Sequence, residues 1–352
     1  MPFAAPFLRL TLLLMPALAA QSQTLAEPAA GAPPKETIAA ERLIPPAIKY
    51  IDIYGTYPRS EAQKNNEGWV QLGYMVDVKG KPFEVTVVDS SGNKAFEDAA
   101  VKALEYSRIE PGTLDGLPVE SASELKVIFV LNGGAKGANR SFIRAYDALM
   151  NAIKASNRSA ADAAMNALTV TNLYEDAYVG LASFQYARVW GDDSQQLKGL
   201  QRAVAREHIA HYLSKPEFEG ALLQILKLDL KYHQYAEAIT TWNDLRNAGI
   251  DARMAGQMKP LFDQLNRLRS DTTAYDIRAA MPGGTWHIQL FKKHFRARVV
   301  AGHISDVKLR CAKGFLRFEF DPDLEYDVES KYGGCGMELD GNPGSEFILT
   351  QF

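Results

Sequence analysis

The chain has 352 residues, of which 47% are apolar and 23% are charged, and its formal net charge is -3. This length and apolar content are sufficient for two or three domains with ordinary hydrophobic cores. The near-balanced charge and the lack of a Lys/Arg block exclude a nucleic-acid-binding role, because attraction to a phosphate backbone requires clustered cations.

Residues 1–19 have the pattern of a secretory signal peptide. Arg9 supplies positive charge, an apolar run begins at Leu10, and Ala17-Leu18-Ala19 gives the small-x-small cleavage pattern. The run is shorter than the roughly 20 apolar residues that a bilayer-spanning helix needs. We therefore expect export to the periplasm and cleavage after Ala19. Retention of the segment as an inner-membrane anchor is the alternative.

The segment that follows, residues 20–46, is rich in Ala and Pro. Such a composition favours an extended, poorly ordered tether, because it offers too few large apolar side chains to build a core.

Two cysteines, Cys311 and Cys335, stand in the last quarter of the chain. In an oxidising compartment they are expected to form a disulfide, whose loop closure is worth about 3 kcal/mol. Structural zinc requires four ligands, and no C-x-x-C or H-x-x-x-H motif accompanies the pair. We therefore predict no metal site and no cofactor.

Residues 47–132 show the pattern strand, strand, helix, strand. Alternating apolar residues predict the strands, and an apolar face with helical spacing predicts the helix. The predicted elements, in chain order, are Trp69–Val76, Phe83–Val88, Asn93–Tyr106 and Leu125–Leu131. One helix covering one face of a small antiparallel sheet is the expected architecture.

Spaced motifs in this region resemble the C-terminal domain of TonB. They include Glu67-Gly68-Trp69-Val70, Phe96-Glu97-Asp98-Ala99-Ala100 and Arg108-Ile109-Glu110-Pro111. The positions that define the family pattern are Tyr57, Pro58, Gly68, Val70, Gly80, Arg108, Pro111 and Gly116. The resemblance implies an α+β fold for this quarter of the chain.

The resemblance also implies a mode of binding. The TonB C-terminal domain engages outer-membrane transporters by pairing its terminal strand with a short segment of the transporter. By position, the matching residues are Leu125, Lys126, Val127, Ile128, Phe129, Val130 and Leu131. Strand addition gives affinity through main-chain hydrogen bonds and selectivity through alternate side chains. The open alternative is an edge covered by the following domain.

The surroundings of this region differ from those of TonB, which has a membrane-spanning helix coupled to an ion-driven motor and a long spacer. Here the apolar segment is expected to be cleaved, the tether is short, and some 220 residues follow the domain. The sequence therefore favours recognition over energy transduction. A membrane-anchored energy transducer is the alternative if the N-terminal segment is retained.

Residues 140–270 have the apolar spacing of helices, for example at Leu222, Leu226 and Leu230. Consecutive helix pairs are similar to tetratricopeptide-type hairpins, and a generic α-helical bundle is an equal alternative. Residues 283–352 alternate as short strands between turns, which predicts a small β-sandwich or barrel. A bridge to Cys335 would attach a loop to that sheet.

Catalytic motifs are absent from the sequence. His208 and His211 are three positions apart, yet the H-E-x-x-H pattern of zinc hydrolases is missing, and no G-x-S-x-G elbow occurs. We therefore predict a non-enzymatic protein of the cell envelope. A hydrolase with a scattered site is the alternative of another class.

The expected function is protein recognition in the periplasm, accessory to TonB-dependent transmembrane transport. The expected partners are envelope proteins, among them TonB-dependent outer-membrane transporters, with membrane contact only indirect if the signal is cleaved. An envelope scaffold that uses the helical region is the alternative within the binding class.

Overall fold

The computed structural model describes residues 42–131, 137–205, 211–250 and 252–352. Along the chain these residues form a mixed α/β region, a run of helices and a β-rich region. None of the helices in these ranges combines the length and the apolar character that a membrane-spanning helix requires.

The first region consists of short helices, one long helix and small antiparallel sheets. Its elements are β1 (Leu43–Ile44), β2 (Ala47–Tyr50), α1 (Ile53–Thr56), α2 (Arg59–Gln63), β3 (Gly68–Val76), β4 (Pro82–Ser90), α3 (Lys94–Glu105), β5 (Arg108–Glu110), β6 (Gly112–Leu114), β7 (Leu117–Val119) and β8 (Ser121–Phe129). The central sheet has the order β4-β3-β8. Strand β2 pairs with β5, and β1, β6 and β7 form a third sheet.

Helix α3 covers one face of the central sheet, as the sequence predicts. Asn93 caps it by accepting a hydrogen bond from the backbone of Ala95. Phe96, Ala100 and Leu104 recur every four residues on its buried face. They pack against sheet residues in one apolar core, and each large side chain buried there contributes about 1.5–3 kcal/mol.

Strands β8 and β1 both begin where the sequence does not predict a strand. Strand β8 begins four residues earlier than Leu125, because β3 pairs with it along its whole length and draws the polar run at Ser121 into the ladder. Strand β1 lies inside the predicted tether of residues 20–46, since Leu43 pairs with Leu114 across the third sheet. Neither short segment carries the alternating apolar pattern that marks a strand.

The middle region is helical throughout its described residues. Its elements are α4 (Arg140–Lys154), α5 (Arg158–Ala167), α6 (Leu173–Trp190), α7 (Asp193–Val204), α8 (Lys215–Lys231), α9 (Tyr235–Asn247) and α10 (Ala252–Ser270). Consecutive helices pack in pairs, α4 with α5, α6 with α7 and α8 with α9. Helices α6 and α7 approach closely at glycines: a Cβ on Gly180 would lie 2.7 Å from the carbonyl oxygen of Gly199.

The last region is a β-sandwich of two four-stranded antiparallel sheets. Its elements are β9 (Tyr275–Met281), β10 (Thr285–Gln289), β11 (His294–Ala301), β12 (Ile304–Cys311), β13 (Gly314–Glu319), β14 (Tyr326–Asp327), a 3-10 turn (Ser330–Tyr332), β15 (Cys335–Gly341) and β16 (Ser345–Gln351). The sheet orders are β10-β15-β12-β13 and β14-β11-β16-β9. The rings of Trp286 and Phe347, one from each sheet, meet at 5.1 Å in the shared core.

The disulfide between Cys311 and Cys335 is present. Its two residues lie opposite each other on the neighbouring strands β12 and β15. The expectation that it attaches a loop to the sheet is therefore wrong, because the glycines before Cys335 end the loop and the cysteine itself starts a strand. The bridge joins two strands that already share a ladder.

Candidate partner-binding strand

Strand β8 contains most of the residues predicted to bind a partner, and it stands at one end of the central sheet. Over the described residues it pairs with β3 alone, from Ser121 opposite Val76 to Phe129 opposite Gly68. Its outer edge therefore offers backbone hydrogen-bonding groups without a strand partner in that part of the chain.

The side chains of β8 alternate between two environments. Val127 and Phe129 are fully buried in the core beneath α3, and Leu125 packs against the same core. Glu124 lies on the opposite face, where it accepts a hydrogen bond from the amide of Gln71 at 2.9 Å. One face of β8 is therefore packed in the core, and the other face carries polar side chains.

The helices α6 and α7 cover one part of that second face. The indole nitrogen of Trp69 donates to Asp176 Oδ2 at 2.9 Å, and Arg202 Nε donates to the other oxygen of the same carboxylate at 2.9 Å. Lys126 donates to the carbonyl of Ala205 at 2.6 Å and lies 5.3 Å from the ring centroid of Trp69. The face is thereby tied to the helical region by charged hydrogen bonds.

The sandwich covers another part of the same face. Arg310 Nε donates to the carbonyl oxygen of Glu84 at 3.3 Å, and the rings of Phe83 and Phe315 meet edge to face at 6.0 Å. Strands β12 and β13 also contact β8. The following regions of the chain thus cover a face of the sheet without adding a described strand to its edge.

Val130 and Leu131, predicted as strand residues, lie beyond the end of β8. The backbone nitrogen of Leu131 donates to Glu67 Oε1 at 3.3 Å, and that of Leu173 donates to Glu67 Oε2 at 3.3 Å. The buried carboxylate of Glu67 therefore fastens the end of the strand to the start of α6. These two residues therefore lie outside the strand ladder of β8.

Tyr57, a family-pattern residue, anchors the core from the chain segment before α2. Its hydroxyl donates to the carbonyl of Asn66 at 2.6 Å, and its ring meets the edges or faces of Phe96 and Phe129 at 5.8 and 5.5 Å. Burial, aided by the charge of Glu67, raises the pKa of Tyr57 to about 12. The residue is structural, at the back of β8.

Gly80 and Pro111 meet where the β3–β4 turn crosses β5. Gly80 has φ +81°, and a Cβ there would lie 2.1 Å from the carbonyl oxygen of Ile109. Only glycine fits this position.

The other family-pattern residues are spread over the same domain. The carbonyl of Pro58 starts α2, Gly68 and Val70 lie in β3, Arg108 is exposed opposite Tyr50, and Gly116 lies in the β6–β7 turn. The pattern thus maintains the fold more than it lines the edge.

Of the two histidines singled out in the sequence, His211 lies within the described residues and His208 lies outside them.

A different cluster of charged residues, on the sandwich, was not predicted from the sequence. There Glu338 accepts hydrogen bonds from Lys308 and Arg310, each at 2.7 Å, and His287 lies 3.5 Å from the same carboxylate. Although burial opposes it, these cations lower the pKa of Glu338. Burial lowers the pKa of His287. Among the described residues, no group of three or more His, Cys, Asp or Glu is placed to hold a metal ion.

Comparison with known proteins places the first region in a family. Residues 54–131 match the family described as Gram-negative bacterial TonB protein C-terminal. Protein TonB of Vibrio cholerae serotype O1 is 28% identical over 88 residues, which are 25% of this chain and 36% of that protein. Protein TonB of Haemophilus ducreyi is 40% identical over 55 residues, 16% of this chain and 20% of that protein.

The chain thus spans about a third or less of the length of these relatives. A solved structure titled as a molecular characterization of the TonB2 protein from Vibrio anguillarum is 25% identical, with a TM-score of 0.20, and covers 30% of this chain and 98% of that one. The family match and the two relatives, and not this superposition, identify the region. Residues 54–131 form a TonB C-terminal domain.

Proposed function

We propose that the chain is a protein-recognition component of envelope transport in a Gram-negative bacterium, and that it binds an extended peptide segment of an envelope partner at the outer edge of β8. The partners we infer are envelope proteins, with TonB-dependent outer-membrane transporters as the first class to test. The role is binding and not catalysis, which the TonB C-terminal domain supports.

The observation that carries the proposal is the position of β8 as an end strand with a nine-residue ladder on one side only. A long, regular ladder holds the edge straight, so that an added strand can form several main-chain hydrogen bonds at once. We expect the backbone of Glu124 to Phe129 to form the hydrogen bonds with the added strand.

Strand β4, at the other end of the sheet, provides an internal comparison. Its ladder with β3 is interrupted by two register shifts, and Glu84 has φ +47°. Bulges of this kind protect an edge from strand addition. The sheet therefore has one regular edge and one irregular edge, and we expect partners at the regular one.

The test is site-specific crosslinking in the full chain within the envelope. Cys311 and Cys335 form the disulfide, so an introduced cysteine gives a single thiol. We expect Glu124→Cys, which is exposed on β8, to yield adducts with envelope proteins. Val88→Cys, exposed to 37% on β4, is the matched control and should yield none. Equal labelling at the two edges, or none at β8, would contradict the proposal.

A further inference from the structure

A buried polar cluster lies where the α8–α9 hairpin meets the sandwich. Asp229 of α8 has no exposed surface, and its Oδ2 accepts a hydrogen bond from the hydroxyl of Thr241 at 3.1 Å. Within the described residues no donor reaches Oδ1. A buried carboxylate oxygen left in this state destabilises the ionised form of the group.

Glu237 of α9 shares the cluster. It lies one helical turn before Thr241, on the same side of the helix. Its Oε1 accepts from the backbone nitrogen of Gln289, in β10 of the sandwich, at 2.9 Å. Its Oε2 is buried and, in the described part of the chain, has no donor. Glu237 thus forms one of the hydrogen-bonded links between the hairpin and the sandwich.

Aromatic residues close the cluster on the sandwich side. The hydroxyl of Tyr275, in β9, is buried and finds no partner among the described residues. Its ring lies 4.8 Å from that of Tyr235 and 6.2 Å from that of Phe291. The surroundings of the two carboxyls are therefore largely apolar, which penalises charge.

The charged groups on the neighbouring elements are engaged elsewhere. His233, between α8 and α9, contacts the carbonyl of Asp276 through Nδ1 at 2.8 Å. Arg269 of α10 lies 4.9 Å from the ring centroid of Phe291. On the α7 side, Lys231 pairs with Asp193. The described structure thus brings two carboxyls together with Tyr275 and supplies no ion-pair partner to Asp229.

Two buried carboxyls without a cation repel each other when both are ionised, and this repulsion favours the protonated form of one of them. Burial, reinforced by the charge of Glu237, raises the pKa of Asp229 to about 7. Burial also raises the pKa of Glu237. A groove of about 520 Å³, lined by Leu230, Tyr235 and residues of α10, lies beside the aromatic side of the cluster.

We propose that Asp229 and Glu237 form a proton-operated latch between the α8–α9 hairpin and the C-terminal sandwich. With its proton, Asp229 is neutral and the junction is closed. When the proton is lost to solvent, two like charges face each other in an apolar site, and the hydrogen bond between Glu237 and Gln289 breaks more often. The latch is independent of strand addition at β8.

The test is hydrogen exchange of the full chain, corrected for the intrinsic rate at each pH, in peptides that cover α9 and β10. Between about pH 5.5 and about pH 8.5, on either side of the midpoint, we expect protection in the wild type to fall roughly tenfold or more. Asp229→Asn should keep nearly the same protection at both values.

Asp263→Asn is the control, because Asp263 is exposed on α10 and pairs with Lys259; it should respond to pH as the wild type does. Glu237→Gln removes the opposing charge and should also reduce the response, so a folding defect in one variant leaves the other. Wild-type protection that is constant with pH, or that falls equally in Asp229→Asn and Glu237→Gln, would overturn the latch.

Discussion

The helical region makes two junctions that treat buried carboxylates in opposite ways. At the junction with the TonB C-terminal domain, both oxygens of Asp176 and of Glu67 receive hydrogen-bond donors. At the junction with the sandwich, one oxygen of Asp229 and one of Glu237 have no donor in the described residues. Hydrogen-bond donors thus satisfy the buried carboxylates of the first junction, and the lack of donors at the second favours a protonated carboxyl.

The largest effect is expected from breaking the first junction with Asp176→Ala. The change leaves the indole nitrogen of Trp69 and the guanidinium of Arg202 without this acceptor. Removing one member of a buried charged pair lowers the free energy of unfolding by about 3–5 kcal/mol. Urea denaturation followed by circular dichroism measures it.

Asp193→Ala is the control for that experiment, because the side chain of its partner Lys231 is 57% exposed and that of Asp193 is 24% exposed. Loss of such a partly exposed pair should cost about 1 kcal/mol. Equal losses for Asp176→Ala and Asp193→Ala would show that the contacts of Trp69 and Arg202 do not hold the junction.

At the second junction, we expect Asp229 to make the free energy of unfolding depend on pH. Because the pKa of Asp229 is raised to about 7 in the folded chain, its stabilising effect is complete below the unfolded value of about 4 and is lost as the pH rises to about 7. Over that window this group lowers the free energy of unfolding by on the order of 2 kcal/mol, since relaxation reduces the full linkage value.

Asp229→Asn tests this expectation by removing the titration. The variant should gain stability relative to the wild type at about pH 8, and its stability should vary less between about pH 4 and 7. Urea titrations at each pH measure both quantities. A variant that follows the wild-type curve throughout would assign the pH dependence to other groups.

The smallest effect is expected at the start of α6, beside the first junction. Asn172 accepts a hydrogen bond from the backbone nitrogen of Glu175 at 2.9 Å. Asn172→Ala removes this cap and should lower the free energy of unfolding by about 1 kcal/mol. Asn172→Asp keeps the acceptor and should restore it. Thermal denaturation compares the two, and equal midpoints would rule out the cap as the cause.

Local pattern was enough to predict the hairpin of β3 and β4 and helix α3, because alternation and helical spacing are properties of neighbouring residues. The start of β8 was not predictable in this way. Ser121 to Ser123 resemble a loop, and pairing with β3 alone makes them a strand. In the candidate site, Leu125 to Phe129 were correctly placed in a strand, whereas Val130 and Leu131 were not.

Sequence alone determined the TonB C-terminal domain, the α+β character of the chain and the pairing of Cys311 with Cys335, since motif spacing, periodicity and the presence of only two cysteines decide these. Tertiary structure alone decided which residues of the helical region and the sandwich contact the TonB C-terminal domain. Trp69 and Asp176, which share a hydrogen bond, are 107 positions apart in the chain. Arg310 and Glu84, which share another, are 226 positions apart. Contacts at such separations follow from packing, which no local pattern encodes.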